Sequence, residues 1–210
     1  MKPANPPVAR PPHPIPSAYQ MRSLSTEAER TEAAALVEDR QRWLTLRGLP
    51  VPARVNVPAL FRDVQAELAG LFEDDILIAC MILEFEPDLG WSGDGSRPCL
   101  FLGHVHTLPG RSDGAIRLVT LWASDYAARL SLPHVRAEAL ARHDLSADPI
   151  AGFLHHLQDM GWSLRGSGVG QDGERVARLE LATIPRPGLT ALIGCSVRKP
   201  QLATGSQSSS

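Results

Sequence analysis

Residues 99–140 constrain the fold of this chain more than any other stretch, because strand and helix patterns alternate there across a basic, glycine-containing turn. A short β-like run over 99–107 ends at a Leu-Pro-Gly turn, and a second strand is predicted over 135–140. A helix is predicted to open at 111–115, since apolar residues then follow the spacing of one helix face: Ala115, Leu118, Val119, Trp122, Ala123, Tyr126 and Leu130. The order strand, turn, helix, strand predicts an α/β fold.

The turn that precedes this helix is suited to bind an anion. Backbone N–H groups of a first helical turn and the positive end of the helix dipole point at one spot, and Arg111 adds a positive charge beside it. The alternative is that the turn serves only to connect the two elements and that Arg111 is a solvated surface residue. The pattern alone is compatible with both interpretations.

From about Met21 to about Leu181 the chain resembles the GNAT family of N-acetyltransferases, in particular its small bacterial members. Residues 31–50 resemble that family's first helix, 73–83 its central hairpin, and 88–102 the approach to its fourth strand. The family's acyl-CoA loop follows Gln/Arg-x-x-Gly-x-Gly/Ala, and Arg111 and Gly114 match that pattern. The resemblance implies a single GNAT-like domain, with a mixed, twisted sheet of about six or seven strands flanked by helices.

Three positions depart from the family's pattern. Ile116 stands where the loop has Gly or Ala, and its branched side chain crowds the close approach that glycine allows. Ile150 stands where the family usually has Asn. Leu157 stands where it usually has the tyrosine that protonates the departing thiolate. His156 is then the candidate for that acid, with a solvent-facing histidine pair, His155 and His156, as the alternative.

The resemblance implies an acyl-CoA-dependent N-acyltransferase that acts on a small-molecule amine, with acetyl-CoA or another acyl-CoA as the donor. It also implies which residues hold the donor: Val105, His106, Thr107, Arg111, Ser112, Asp113, Gly114 and Ala115. The alternative is a GNAT-fold protein that has lost acetyl transfer. Such a protein would bind a small molecule or a partner protein, or would catalyse a different reaction in specialised metabolism, and the three departures favour this second hypothesis.

Two pairs of titratable residues are candidates for removing the proton from the attacking amine. Glu84 and Glu86 lie two residues apart, so a strand would place both side chains on one face. The alternative is that these carboxylates only mark the place where the strand ends and emerges into water. His104 and His106 have the same spacing, and an imidazole titrates near neutral pH. We rank the histidines first, because an apolar strand has little structural need for two imidazoles, although buried histidines bonded to backbone are common. With no third ligand nearby in sequence, no metal site is predicted.

The remaining elements follow from local signals. A strand is predicted over 18–24, and the capping box formed by Thr26 and Glu29 predicts a helix that runs to Gly48. Asn56 and Pro58 predict a second helix that stops at Gly70. The connection over 50–58 is either a substrate-specific loop or an ordinary linker. A helix is predicted over 148–160, then a hairpin of 162–164 and 175–182, with the glycine-rich residues 166–173 as a flexible turn.

Composition bounds the class of protein. The proline-rich residues 1–18 and the polar residues 199–210 are predicted to be disordered around a domain over 19–198. A net charge of −2 provides no basic field for nucleic acid, and three cysteines without close spacing favour neither disulfides nor zinc. No apolar run reaches membrane-spanning length and no signal pattern is present, so the sequence predicts a cytoplasmic protein without a membrane partner. Exposed apolar helix faces are compatible with a homodimer.

Overall fold

The computed structural model describes residues 18–85, 87, 89–91, 98–142, 145 and 150–198. The strands in that part of the chain are β1 Tyr19–Ser23, β2 Leu68–Glu73, β3 Ile76–Phe85, β4 Cys99–Thr107, β5 His134–Leu140, β6 Trp162–Val169, β7 Arg175–Ala182 and β8 Ile193–Ser196. The helices are α1 Glu27–Leu46, α2 Val57–Arg62, α3 Ser112–Arg129 and α4 Ala151–Asp159, and a short 3₁₀ helix spans Pro187–Ala191.

The described strands form one mixed sheet of eight strands, in the order β6-β7-β5-β4-β3-β2-β1-β8. The pairs β4–β5 and β1–β8 are parallel, and the other neighbouring pairs are antiparallel. Helices cover both faces of the sheet, so the predicted single α/β domain with a mixed sheet is confirmed. The strand count exceeds the predicted six or seven because the chain adds β8 beside β1.

Helix α1 begins and ends as its sequence predicts. The hydroxyl of Thr26 accepts the N–H of Glu29 at 3.2 Å, and the Glu29 carboxylate accepts the N–H of Thr26 at 2.9 Å, which completes the capping box. At the other end Gly48 adopts φ +66°, and the N–H of Leu49 reaches back to the carbonyl of Leu44 at 3.0 Å. Only glycine adopts this left-handed conformation without steric cost, so the helix ends there.

The second helix is shorter than predicted. Helix α2 ends at Arg62, and Leu68–Gly70 belong to β2 instead of a helix. The guanidinium of Arg30, on α1, donates to the carbonyls of Asp63 and Ala66, which fixes the chain in a turn between helix and strand. This correction has a tertiary cause, because the partner that holds the turn comes from a distant part of the sequence.

The two faces of the sheet have separate cores. Helices α1 and α2 cover one face, over a cluster that includes Leu24, Leu36, Val37, Phe61, Phe72 and Cys80. Helices α3 and α4 cover the other face, over a larger cluster that includes Leu100, Leu102, Val119, Trp122, Tyr126, Leu154, Leu157, Trp162 and Leu179. The predicted apolar face of α3 is therefore confirmed as its buried face.

Strands β4 and β5 separate along their length. Their parallel pairing covers Cys99–Leu102 and His134–Ala137, yet β4 continues to Thr107 and β5 to Leu140. In the part of β4 that does not pair with β5, the strand still pairs with β3. There His104 and Val105 together lie opposite the single residue Met81 of β3, and this extra residue forms a β-bulge. The separation and the bulge together open a cleft between the carboxyl ends of these two strands.

The glycine-rich residues 166–173 do not form one flexible turn. Residues Gly166–Val169 complete β6, and the turn to β7 occupies only 170–174. A Cβ atom on Gly168 would lie 2.5 Å from the guanidinium of Arg178, so a larger residue there would require the end of that flexible side chain to move. Among the described helices none is both long and apolar enough to cross a membrane.

Candidate functional site

A cavity of about 890 Å³ lies where β4 and β5 separate. Its wall is formed by the ends of these two strands, the N-terminal turn of α3, the C-terminal half of α1 with the connection to α2, and the β6–β7 turn. All eight residues predicted to hold a donor line it, namely Val105, His106, Thr107, Arg111, Ser112, Asp113, Gly114 and Ala115. The fold therefore brings this predicted set together around one space.

The N-terminus of α3 opens into this cavity. No side chain caps the helix at Arg111, so its first N–H groups remain for a ligand or water. A Cβ atom placed on Gly110 or on Gly114 would have no other atom within 4 Å, which shows open space beside the turn. Ile116 lies in the cavity wall and also packs against the core below. These features fit an anionic group such as a phosphate.

Two arginines lie near this helix end. Arg111 forms an ion pair with Glu73 of β2 at the rim of the cavity. Arg40 of α1 donates to the hydroxyl oxygen of Ser112 at 2.9 Å, and its guanidinium lies over the ring of Trp43 at 4.3 Å. Burial lowers the pKa of Arg40 below its usual range, although an arginine keeps its charge at neutral pH. Sequence reasoning missed Arg40, since nothing in α1 alone indicates that it reaches α3.

His104 lies at the β-bulge with φ +47°. Its Nε2 atom is 3.4 Å from Oδ2 of Asp172, in the β6–β7 turn. Burial lowers the pKa of His104 below its usual value, and the negative charges of Asp172 and Glu84 oppose that shift. An imidazole with a lowered pKa is neutral at neutral pH and can accept a proton.

His106 has different surroundings. Its side chain is buried, with the residue 8% exposed, and its ring meets the ring of Phe61 edge-on at 6.2 Å between centroids. Burial above all, and then the charges of His104 and Arg40, lower the pKa of His106 to about 3. The bulge breaks the two-residue alternation of β4, so the two predicted imidazoles do not form an equivalent pair. His106 is the weaker base of the two.

Acidic groups lie on the His104 side of the cavity: Glu138 and Asp172 line it, whereas Glu84 acts on His104 but is not among the lining residues. The side-chain amide of Gln171 donates to Glu84 at 3.2 Å, and its backbone N–H donates to Glu138 at 3.3 Å. Trp91 also donates to Glu138, at 3.1 Å, and burial raises the pKa of that carboxyl. Sequence reasoning missed Glu138 and Asp172, because they lie on elements remote from β4 in the chain.

The predicted carboxylate Glu86 lies outside the described residues. His156 of α4 is not among the residues that line the cavity, whereas Ile150 and the buried Leu157 are. Within the described chain, no group of three or more His, Cys, Asp or Glu residues is placed to hold a metal ion.

The β6–β7 turn also contacts the connection between α1 and α2. Oε1 of Glu174 accepts the backbone N–H groups of Ala53 and Arg54, at 3.1 Å each. Pro50 and Pro52 of the same connection line the cavity. The connection therefore forms part of the wall of the site.

No protein-family model matches the chain, and no curated protein matches it. Solved structures do. The ribosomal-protein-S18-alanine N-acetyltransferase of Escherichia coli is 14% identical at a TM-score of 0.53, covering 80% of this chain and 96% of its own. FeeM, an N-acyl amino acid synthase from uncultured soil microbes, is 13% identical at 0.54, covering 79% and 91%.

A GNAT-family acetyltransferase from Streptococcus agalactiae is 16% identical at a TM-score of 0.52, covering 78% of this chain and 95% of its own. The identities are low, so the likeness concerns the course of the backbone. It includes nearly the whole of each of these relatives. The chain therefore has the fold of the GNAT N-acetyltransferases.

Proposed function

We propose that this protein is an N-acyltransferase that moves an acyl group from acyl-CoA to the amine of a small molecule. The observation that carries the proposal is a single cavity that joins the open N-terminus of α3 to the imidazole of His104. An acyl transfer to an amine needs both features, an anion site to hold the donor and a base beside the acceptor.

The donor side uses the N-terminal turn of α3. The backbone N–H groups around Ser112 and Gly114 would hold the pyrophosphate of CoA, with the positive charges of Arg40 and Arg111 beside it. The open space at Gly110 and Gly114 is consistent with an approach of phosphate oxygens to the backbone. The thioester of the donor supplies an electrophilic carbonyl carbon.

The acceptor side uses the acidic end of the cavity. Glu138 and Asp172, which line the cavity, and the nearby Glu84 favour a positively charged ammonium group, which must lose a proton before its nitrogen attacks. His104 accepts that proton. As the new C–N bond forms, the nitrogen gives up its second proton to solvent, and as the C–S bond breaks, the departing sulfur takes a proton from solvent, because Leu157 has none to give.

One observation favours a second candidate function, which is binding without transfer. Leu157 and Ile150 make the wall apolar where a proton donor would stand, and His156 lies outside that wall. A protein with this wall would retain acyl-CoA or a related molecule without releasing its thiol. Specialised metabolism is one setting in which such a binding protein would serve.

Calorimetric titration with acetyl-CoA, combined with detection of released CoA thiol over a panel of amines, tests both candidates. In the variant Gly114→Phe the ring would fill the open space at α3, so we expect binding to be lost. Gly152→Phe is the matched control, since Gly152 also has no atom near its Cβ position but lies outside the cavity wall.

Arg40→Ala should weaken acetyl-CoA binding by about tenfold, or ~1.4 kcal/mol, because it removes a half-buried charge at α3. Arg42→Ala, on the exposed side of the same helix, should have no effect. Thiol release with an amine supports transfer, and binding without release supports the second candidate. No binding of acetyl-CoA or of a longer acyl-CoA up to millimolar concentration would overturn the proposal.

A further inference from the structure

We propose that the acyl group carried by this protein is a hydrocarbon chain longer than acetyl, and that it lies in the inner end of the cavity. The inner end is the part lined by Val119, Ala137, Leu157, Trp162 and Leu179. This inference rests on the proposed function, and it specifies the substrate class of the same site.

The cavity enters the core that lies between the sheet and the helices α3 and α4. Its inner-end residues are nearly inaccessible to solvent, at 3% for Val119, 5% for Leu157 and 2% for Leu179. All of them belong to the apolar cluster on that face of the sheet. The floor of the cavity is therefore formed by side chains of the apolar core between the sheet and helices α3 and α4.

The separated strands provide the passage into this space. Beyond Leu102 and Ala137 no pairing between β4 and β5 remains. Ala137 and Ala139 alternate with Arg136 and Glu138 along β5, so the small side chains belong to the apolar face. Small residues at a gap between strands leave room for an unbranched chain.

The side chains that define the inner end are apolar apart from the indole N–H of Trp162, which donates to the hydroxyl of Thr120 at 3.0 Å. The three positions that depart from the GNAT pattern, Ile116, Ile150 and Leu157, also line the cavity, and all three are apolar. An acetyl group has a single methyl with which to contact this surface.

The distribution of charge identifies the occupant. Carboxylates gather near His104, where a charged acceptor amine is stabilised, whereas an ammonium group in the inner end would lose its hydration without compensation. The acyl chain of the donor is the apolar part of the reacting pair. It therefore takes the inner end, and the acceptor takes the acidic side.

Calorimetric titration of the full chain with acetyl-, butyryl-, hexanoyl- and octanoyl-CoA tests this assignment. Each methylene group removed from water strengthens binding by about fourfold, so we expect octanoyl-CoA to bind at least tenfold more tightly than acetyl-CoA. Equal affinities across the series would overturn the chain proposal and leave the acyltransferase proposal intact. Octanoyl-pantetheine is a further arm: if it binds while no CoA thioester does, the chain site stands and the CoA site fails.

Three variants separate occupancy of the inner end from general damage to the fold. Ala139→Leu narrows the passage, and we expect it to weaken octanoyl-CoA binding about tenfold and acetyl-CoA binding less. Leu157→Ala enlarges the space and should shift the preference towards longer chains. Leu154→Ala is the matched control, because Leu154 is equally buried on α4 but does not line the cavity.

Thermal unfolding by circular dichroism confirms that each variant is folded before it is titrated. Equal weakening of all donors by Ala139→Leu would overturn the proposal, as would a change in chain-length preference in Leu154→Ala.

Discussion

His104 has the most unusual backbone position among the candidate site residues. The other described non-glycine residues with positive φ, Asp74, Asp75 and Ser131, lie in turns, whereas His104 lies inside a strand. A non-glycine residue held in this region costs about 1–3 kcal/mol, and such positions concentrate at functional sites. The bulge directs the His104 ring to Asp172, which a regular strand at this register would not do.

Replacing Asp172 by Asn should move the acidic limb of the pH profile of kcat/KM to lower pH. This limb is the range in which activity falls because His104 becomes protonated. The Asp172 carboxylate opposes the lowering of the His104 pKa by burial, so its loss lowers that pKa further. His104 then stays neutral, and able to accept a proton, down to a lower pH. The pH profile of kcat/KM measures the limb, and the NMR titration of the ring in the ligand-free protein measures the pKa directly.

Asp159→Asn, at the exposed end of α4, is the control and should leave both measurements unchanged. An unchanged His104 pKa in Asp172→Asn would contradict the assigned pairing, and a shift to higher pH would contradict its sign.

The β6–β7 turn is the element that connects the parts of the site. Gln171 contacts β3 and β5, Asp172 contacts β4, and Glu174 contacts the connection between α1 and α2. Few apolar side chains are buried in this turn, so hydrogen bonds and ion pairs hold it in place. The acceptor side of the cavity therefore depends on polar contacts that span distant parts of the chain.

In Glu174→Ala, the connection between α1 and α2 should become more mobile with little change in global stability. The variant removes the acceptor of two backbone N–H groups, so hydrogen exchange at Ala53 and Arg54 should accelerate, and the KM for the acceptor amine should rise. Glu32→Ala, on the exposed face of α1, should leave that exchange rate unchanged. Unaltered exchange in Glu174→Ala would show that other contacts hold the connection.

At the scale of the whole molecule, residues of the site also pack in the apolar clusters on the two faces of the sheet. His106 on β4 lies opposite Cys80 of β3 and meets Phe61 of α2 in one of these clusters. The electrostatic effects of His104 and Arg40 both disfavour a positive charge on the His106 ring. The protein must therefore fold around a neutral imidazole at this position.

Acidification should destabilise the fold through His106. The pKa of His106 is about 3 in the folded state and near 6.5 in the unfolded chain, so between these values only the unfolded state binds the proton. The free energy of unfolding thus falls as the pH falls through this window, by about 1.4 kcal/mol per pH unit from this group. Urea unfolding between about pH 6 and about pH 4 measures the slope.

The variant His106→Gln should reduce that slope by about one proton, whereas His155→Gln, at an exposed site on α4, should not. Equal slopes in the wild type and in His106→Gln would show that this imidazole is protonated in the folded protein.

Sequence reasoning predicted the elements whose causes lie within a few residues. The capping box at Thr26 and Glu29 sets the start of α1, and the apolar period after Arg111 sets the buried face of α3. The turn before α3 and the candidate base His104 also follow from short patterns in the chain. Contacts between residues at most a few positions apart are sufficient for all of these features.

What only the tertiary structure decided depends on contacts between distant residues. Leu68–Gly70 became strand because Arg30 holds the preceding turn, and β8 exists because β1 offers an edge for Ile193–Ser196. The bulge at His104 depends on the register of β4 against β3, and the approach of His104 to Asp172 depends on where the sheet places the β6–β7 turn. Local sequence determined which segments are helix or strand here. The packing of the sheet decided which side chains meet in the cavity, because that depends on pairings that no short stretch encodes.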